Sequence, residues 1–156
     1  GAALDELVTV GKVGAIGVSN FRPWDWELLQ SAMNNKLITN QIEISLNELR
    51  AFTNGDIAFH QRHGHKLMAW SPLGGGDLIT SEGKIQVVLD ELAKKNEVDR
   101  AAIAVAFLLA HPAKILPILG TNSIDRISSI SNATKVVLDR QDWFRLYEAS
   151  LGKEVA

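Results

Sequence analysis

Short apolar runs that break abruptly into small polar residues recur along this chain. One is Ala15-Ile16-Gly17-Val18, ending in Ser19-Asn20; another is Leu67-Met68-Ala69-Trp70, ending in Ser71-Pro72. A third is Ile115-Leu116-Pro117-Ile118-Leu119, ending in Gly120-Thr121-Asn122, and Ile38-Thr39-Asn40-Gln41-Ile42-Glu43 is a weaker version. Residues 13–18, 39–43, 67–70 and 115–119 are accordingly predicted as strands. Helical spacing fills the intervals. Residues 3–11 read as a helix stopped by Gly11, and 24–34 as one that follows Pro23 and carries Leu28, Leu29 and Ala32 on one face. Residues 56–63 end at Gly64, and 84–96 carry Ile85, Val88, Leu89 and Leu92. Asp99 is the expected N-cap of 100–110, which His111-Pro112 terminates, and 123–132 and 141–150 complete the set. Ser71 to Gly83 reads as a loop.

Strands that alternate with helices imply crossover connections and a parallel sheet with helices packed on it. The runs are apolar at nearly every position, which predicts strands buried on both faces. Four such units make either a small open sheet or half of an eight-stranded barrel. A complete barrel takes about 200 residues or more, and this chain has 156. In either architecture ligands sit at the carboxyl ends of the strands. The polar residues gathered there therefore describe one site drawn from four places in the chain.

Composition narrows the classes of function. Hydrophobic residues at 46% against charged residues at 22% predict a single domain with a real core rather than a disordered chain. A formal net charge of −2, with the basic residues scattered, argues against a nucleic-acid partner. No stretch approaches the length of a membrane span, and no signal-peptide pattern is visible, so no membrane partner is expected. The absence of cysteine removes disulfides, thiolate metal sites and a cysteine nucleophile, and fits a cytoplasmic protein. The chain opens on Gly1, and Leu4-Asp5-Glu6-Leu7-Val8 reads as mid-helix, so 1–156 is expected to be one partial domain of a longer protein.

Each polar strand end admits a structural and a chemical reading. Ser19-Asn20 can be the turn and cap of the following helix, or a donor–acceptor pair that grips a carboxamide. Gln41, inside a strand, is either a satisfied core amide or a ligand contact. Trp70 is either a core aromatic or a flat wall for a planar ring. Ser71-Pro72-Leu73-Gly74-Gly75-Gly76 is either a flexible loop or a backbone cradle for pyrophosphate. Gly120-Thr121-Asn122-Ser123 followed by Arg126 sets hydroxyl, amide and guanidinium groups at a helix start, as a phosphate requires, or is ordinary capping beside a solvated arginine. His60, His63 and His65 lack a carboxylate at zinc-like spacing and are expected at the surface, holding no metal. Tyr147 lies in an amphipathic C-terminal helix and is expected to pack or face solvent. No Gly-x-Ser-x-Gly elbow supports serine-nucleophile chemistry.

Taken together, four segments resemble the C-terminal half of an aldo-keto reductase. They are Gly11-Lys12-Val13-Gly14-Ala15-Ile16-Gly17-Val18-Ser19-Asn20-Phe21, Asn40-Gln41-Ile42-Glu43, Ala69-Trp70-Ser71-Pro72-Leu73-Gly74-Gly75-Gly76 and Ile118-Leu119-Gly120-Thr121-Asn122-Ser123. The ending Trp143-Phe144-Arg145-Leu146-Tyr147 is similar to a bacterial subgroup of that family.

The resemblance implies an α/β fold, strands 5–8 of a (β/α)8 TIM barrel with their helices, and NADPH (NADP) as cofactor for an oxidoreductase acting on aldehydes or ketones. It implies that Ser19, Asn20 and Gln41 hold the nicotinamide carboxamide and that Trp70 stacks on the ring. It assigns Ser71, Pro72, Leu73 and Gly74 to the pyrophosphate, and Thr121, Asn122 and Arg126 to the adenosine 2′-phosphate. Gly120 stands in that clamp where the family often has lysine. The family's proton donor is a tyrosine supported by aspartate, lysine and histidine from the first four strands, and none of those motifs occurs here. The isolated chain is therefore expected to be inactive, with no catalytic residue of its own. Two alternatives remain. One is a non-enzymatic nucleotide-binding half-barrel that dimerises through its exposed edges. The other is a different phosphate-binding barrel enzyme, which Trp70 opposite Ser19-Asn20 disfavours.

Overall fold

The computed structural model describes residues 1–155. Four strands form one sheet in chain order: β1 (Ile16–Ser19), β2 (Leu37–Glu43), β3 (Lys66–Trp70) and β4 (Leu116–Pro117). Every neighbouring pair is parallel, so a helical crossover joins each strand to the next. The helices are α1 (Ala2–Thr9), α2 (Pro23–Ser31), α3 (Asp56–Arg62), α4 (Asp77–Thr80), α5 (Lys84–Asn96), α6 (Arg100–Leu109), α7 (Ile124–Ser131) and α8 (Arg140–Leu151). None of them is long and apolar enough to cross a membrane.

The helices cover one face of the sheet only, which corrects the expectation of strands buried on both faces. Register pairs Asn40 with Leu67 and Ile42 with Ala69, and all four are buried. The opposite parity pairs Thr39 with Lys66, Gln41 with Met68 and Glu43 with Trp70, and none of these six is fully buried. Leu116, beside Met68, is 46% exposed. An apolar strand does not by itself say that something covers both sides of it.

Most of the core lies between the covered face and α6. Ala101 through Leu108 are all buried, and the four alanines among them let neighbouring backbones approach closely. Phe107 stacks on Trp143 of α8 at 4.6 Å, while the Trp143 indole donates to the Phe107 carbonyl at 3.0 Å. Asp99 caps α6 as expected, accepting from the Ala102 amide at 2.8 Å. A smaller cluster joins Ile16, Trp26 and Leu37. Here the inward stripe of α2 is Trp26 and Leu29, with Met33 just past its end, while Leu28 is 75% exposed. The large indole, rather than the run of leucines, sets the rotation of that helix.

The strands and loops differ from expectation at three points. β4 has two residues instead of five, because Pro117 has no N–H for the ladder, although the Ile118 amide still reaches the Ala69 carbonyl at 2.9 Å. β1 starts at Ile16, whose partner Leu37 begins β2, so residues 13–15 have nothing to pair with. The stretch from Ser71 to Gly83 is not plain loop: it holds a 3-10 turn at Gly74–Gly76 followed by α4.

The first helix is tied down by a buried carboxylate. Asp5 accepts from the Asn34 and Asn35 amides at 2.7 and 2.8 Å and from Asn35 Nδ2 at 2.9 Å. Those backbone N–H groups hold its pKa below the ordinary value of 3.8. A carboxylate with a lowered folded-state pKa stabilises above its unfolded value and loses that contribution as the pH falls through the folded one. Asp5→Ala is therefore expected to lower the urea midpoint at neutral pH, with the gap to wild type closing as the pH drops below 3.8. A gap that persists in acid would show that the carboxylate charge is not what anchors α1.

Candidate functional site

The chain leaves β1 and β3 by the same backbone move. Asn20 and Ser71, the first residues past those strands, have φ of 58° and 48°, a left-handed conformation uncommon outside glycine. Such strain gathers at functional sites when the surroundings hold it in place. At Asn20 they do. Its amide and the Ser19 hydroxyl both donate to the Gln41 carbonyl, at 2.9 and 3.0 Å, and the Trp70 indole N–H donates to Asn20 Oδ1 at 2.9 Å. Arg22, not Ser19 or Asn20, is the N-cap of α2, so the pair is not the helix cap.

These bonds define what the corner can still offer. An indole nitrogen only donates, so Asn20 must turn its carbonyl to Trp70 and keep its NH2 for another partner. Ser19 has given its proton to Gln41 and retains lone pairs. The Gln41 side chain, on the uncovered face, makes no hydrogen bond among the described residues. Together they present donors and acceptors, the complement of a carboxamide with one carbonyl and one NH2.

Behind this corner lies a buried pair that sequence reasoning placed wrongly or missed. Asn40 is fully enclosed, accepts from the Phe21 amide at 3.3 Å and donates to the Phe21 carbonyl at 2.7 Å. Its signal was a polar residue two positions before Ile42, on the same side of β2. His60, expected at the surface, is 0% exposed with its Nε2 3.2 Å from Asn40 Nδ2. It shares the inward face of α3 with Ile57, whereas His63 lies outside. Burial, then the neighbouring His65 and His63, push the His60 pKa down to about 4. His65 is half-buried against Trp26 and is also lowered, first by burial.

The other half of the site is a cavity of about 380 Å³ past the ends of β3 and β4. It brings together Trp70, Ser71, Pro72, Leu73, Gly75 and Gly76 with Gly120, Thr121 and Arg126. Arg126 is the one charged side chain lining it, and that guanidinium has no hydrogen bond or ion pair among the described residues. The Thr121 hydroxyl accepts from the Ser123 amide at 3.2 Å, and Ser123 caps α7 by accepting from the Arg126 amide at 3.4 Å. Capping and an open cation thus coexist here, and the set suits an anion.

Two expected members lie outside that cavity. Asn122 is exposed and does not line it. Gly74 has φ of 59°, and a Cβ there would come within 2.6 Å of Asn47 Nδ2, so this glycine serves a close approach of chains. Asn47 in turn donates to Asp77 at 2.8 Å. Farther along, Arg100 pairs with Asp90 at 2.6 Å and donates to the carbonyls of Ile79 and Ser81 at 3.1 and 3.2 Å. The segment that follows the glycines is therefore pinned at Asp77, Ile79 and Ser81, and no sequence signal marked Asn47 or Arg100 as its anchors.

Other candidates separate from the site. Tyr147 packs as expected, stacked on Trp143 at 5.3 Å and edge-on to Phe52. A larger cavity of about 890 Å³ lies among Trp26, Phe59, His65, Lys36 and Lys66, at the amino ends of β2 and β3, the end where parallel sheets seldom bind ligands. A small one of about 200 Å³ adjoins the Asn20 corner and shares Trp70 as a wall. Among the described residues no group of three or more His, Cys, Asp or Glu side chains could hold a metal ion.

Comparison with known proteins agrees with this geometry. The model of the aldo/keto reductase family matches residues 2–150. The 6-dehydroglucose reductase of Agrobacterium fabrum is 55% identical, covering 100% of this chain and 53% of the relative. The protein of the same name from Novosphingobium aromaticivorans is 40% identical, covering 97% of this chain and 51% of the relative. The thermostable aldo-keto reductase Tm1743 superposes with a TM-score of 0.86 at 27% identity, over 95% of this chain and 53% of that one. The chain thus spans about half the length of the curated relatives it matches. Its four parallel strands and their helices match the (β/α)8 barrels of solved relatives over about half of each barrel chain. The chain belongs to the aldo/keto reductase family.

Proposed function

We propose that this chain is the NADP(H)-holding part of an enzyme that reduces an aldehyde or ketone to an alcohol. The observation that carries the reading is Arg126, a cation with no partner among the described residues, in a cavity that shares its Trp70 wall with the amide-lined corner at Asn20. On this reading Ser19, Asn20 and Gln41 hold the carboxamide, and Trp70 supports the ring. Ser71, Pro72, Leu73, Gly75 and Gly76 pass the pyrophosphate to Gly120, while Thr121 and Arg126 meet the 2′-phosphate. When bound, NADPH supplies a hydride. The chain's own groups orient the ring and hold it between the corner and the cavity. The chain has one tyrosine, and Tyr147 is enclosed in the α8 aromatic stack. The acid that protonates the developing alkoxide comes, on this reading, from outside these residues.

The two relatives named for 6-dehydroglucose make a sugar carbonyl the first substrate class to test. Arg22, Glu43, Arg50 and Asp56 around the small cavity supply partners suited to hydroxyl groups. A second reading keeps the nucleotide and drops the reaction. It draws on the uncovered sheet face between the edge strands β1 and β4, which a second copy would cover. A stable dimer in sedimentation that binds NADP+ would favour it. Reduction of a dehydro-sugar by NADPH, when the chain is combined with the first half of the Agrobacterium relative, would favour the enzyme.

Two substitutions test the assigned roles in titrations followed by tryptophan fluorescence. A charge-assisted contact contributes about 1.5–3 kcal/mol, so Arg126→Met should weaken NADP+ by about 10- to 100-fold and leave NAD+ unchanged. Equal losses for both nucleotides would remove Arg126 from the 2′-phosphate. Trp70→Phe keeps a ring but frees Asn20 Oδ1. It should weaken NADP+ several-fold and spare 2′,5′-ADP, which lacks the nicotinamide; unchanged NADP+ binding would show that the Trp70–Asn20 bond has no part in the grip.

A further inference from the structure

We infer that His60 is a positioning residue for the Ser19-Asn20 grip, acting through Asn40 on the backbone of Phe21. The inference rests on reading that corner as the carboxamide site.

Asn40 has only one orientation that satisfies its neighbours. The Phe21 amide needs an acceptor and finds Oδ1 at 3.3 Å; the Phe21 carbonyl needs a donor and finds Nδ2 at 2.7 Å. Rotating the amide by half a turn would set donor against donor and acceptor against acceptor. The second Nδ2 hydrogen then points to His60 Nε2 at 3.2 Å, which must accept it and so carries no proton. The His60 proton sits on Nδ1, facing His65 Nδ1 at 3.4 Å, and the His65 proton moves to Nε2. The backbone of one residue thus dictates two histidine tautomers.

Gln41 and Trp70 restrain Asn20 itself, whereas among the described residues it is Asn40 that bonds the backbone of Phe21, the residue that follows the left-handed turn. A histidine present only for packing would be replaceable by an aromatic ring, since Trp26 and Phe59 flank it at 4.9 and 5.0 Å. An apolar ring would leave an Asn40 N–H unpaired at a site with no solvent, which is costly. Protonation at Nε2 would do worse, placing N–H against N–H. The titratable groups facing His60 are His65 and His63 from the turn before β3; Trp26 of α2 and Asn40 of β2 are neutral. Glu27, Lys36 and Lys66 line the cavity beside His65. Among the described residues no carboxylate contacts His60 to favour an imidazolium, and burial pushes its pKa down to about 4, so the lock stays closed through neutral pH.

The test compares the wild-type chain with His60→Phe, which fills the space without an acceptor, and His60→Gln, whose Oε1 restores one. Affinities for NADP+ and 2′,5′-ADP are measured beside the imidazole nitrogen NMR shifts and the hydrogen exchange of the Phe21 amide. His60→Phe should weaken NADP+ about tenfold and leave 2′,5′-ADP unchanged, with His60→Gln recovering most of the loss. Wild-type His60 should show the Nδ1–H tautomer and no titration near its ordinary value of 6.5. Parallel loss of both ligands, unchanged binding in His60→Phe, or a protonated Nε2 would each overturn the inference. If the wild-type chain binds neither ligand, the cofactor reading fails separately. The lock is then decided by Phe21 exchange, which must accelerate in His60→Phe and not in His60→Gln. Should His60→Phe not fold, the wild-type tautomer and His60→Gln decide it.

Discussion

A strand turns successive side chains to opposite faces, and on β2 that rule separates two adjacent amides. Asn40 goes inward among the helices and grips the peptide of Phe21; Gln41 goes outward beside Ser19 and Met68. A shift of one residue in register would exchange them. It would set a lone amide in the core and strip the corner of its support. The buried Ile44 and Leu46, just past the end of the strand, make such a slip expensive. The geometry of the site therefore depends on hydrophobic residues that never touch it.

Much of this was legible in the chain because the strand-end phrases combine apolar burial with a polar stop. The order of elements, the Asp99 cap, the cavity uniting Trp70-Ser71-Pro72-Leu73 with Gly120, Thr121 and Arg126, and the packing of Tyr147 all follow from local patterns. What was not legible is long-range. Nothing near Asn47 or Arg100 in the chain announces the segment they hold, since each anchor lies many residues from its target. Pro117 was visible, yet its effect on β4 depends on the ladder it joins.

His60 shows the same limit more sharply. Three histidines in six residues looked like a solvated cluster, and for His63 that holds. The helical phase of α3 decides the rest: Ile57 and His60 share one face, and Asn40 waits opposite with an N–H to place. A polar residue on an apolar helical face is informative only once its partner on another element is known.

The Trp70–Asn20 bond joins residues 50 positions apart in the chain. The indole that walls the cavity is also the group that decides which way an amide just past another strand must face. Such residues cannot drift independently. A change at one leaves a donor or an acceptor stranded at the other, so their effects on binding will not add. Any lineage that replaces this tryptophan inherits the task of re-aiming Asn20, and the two positions are expected to change together or not at all.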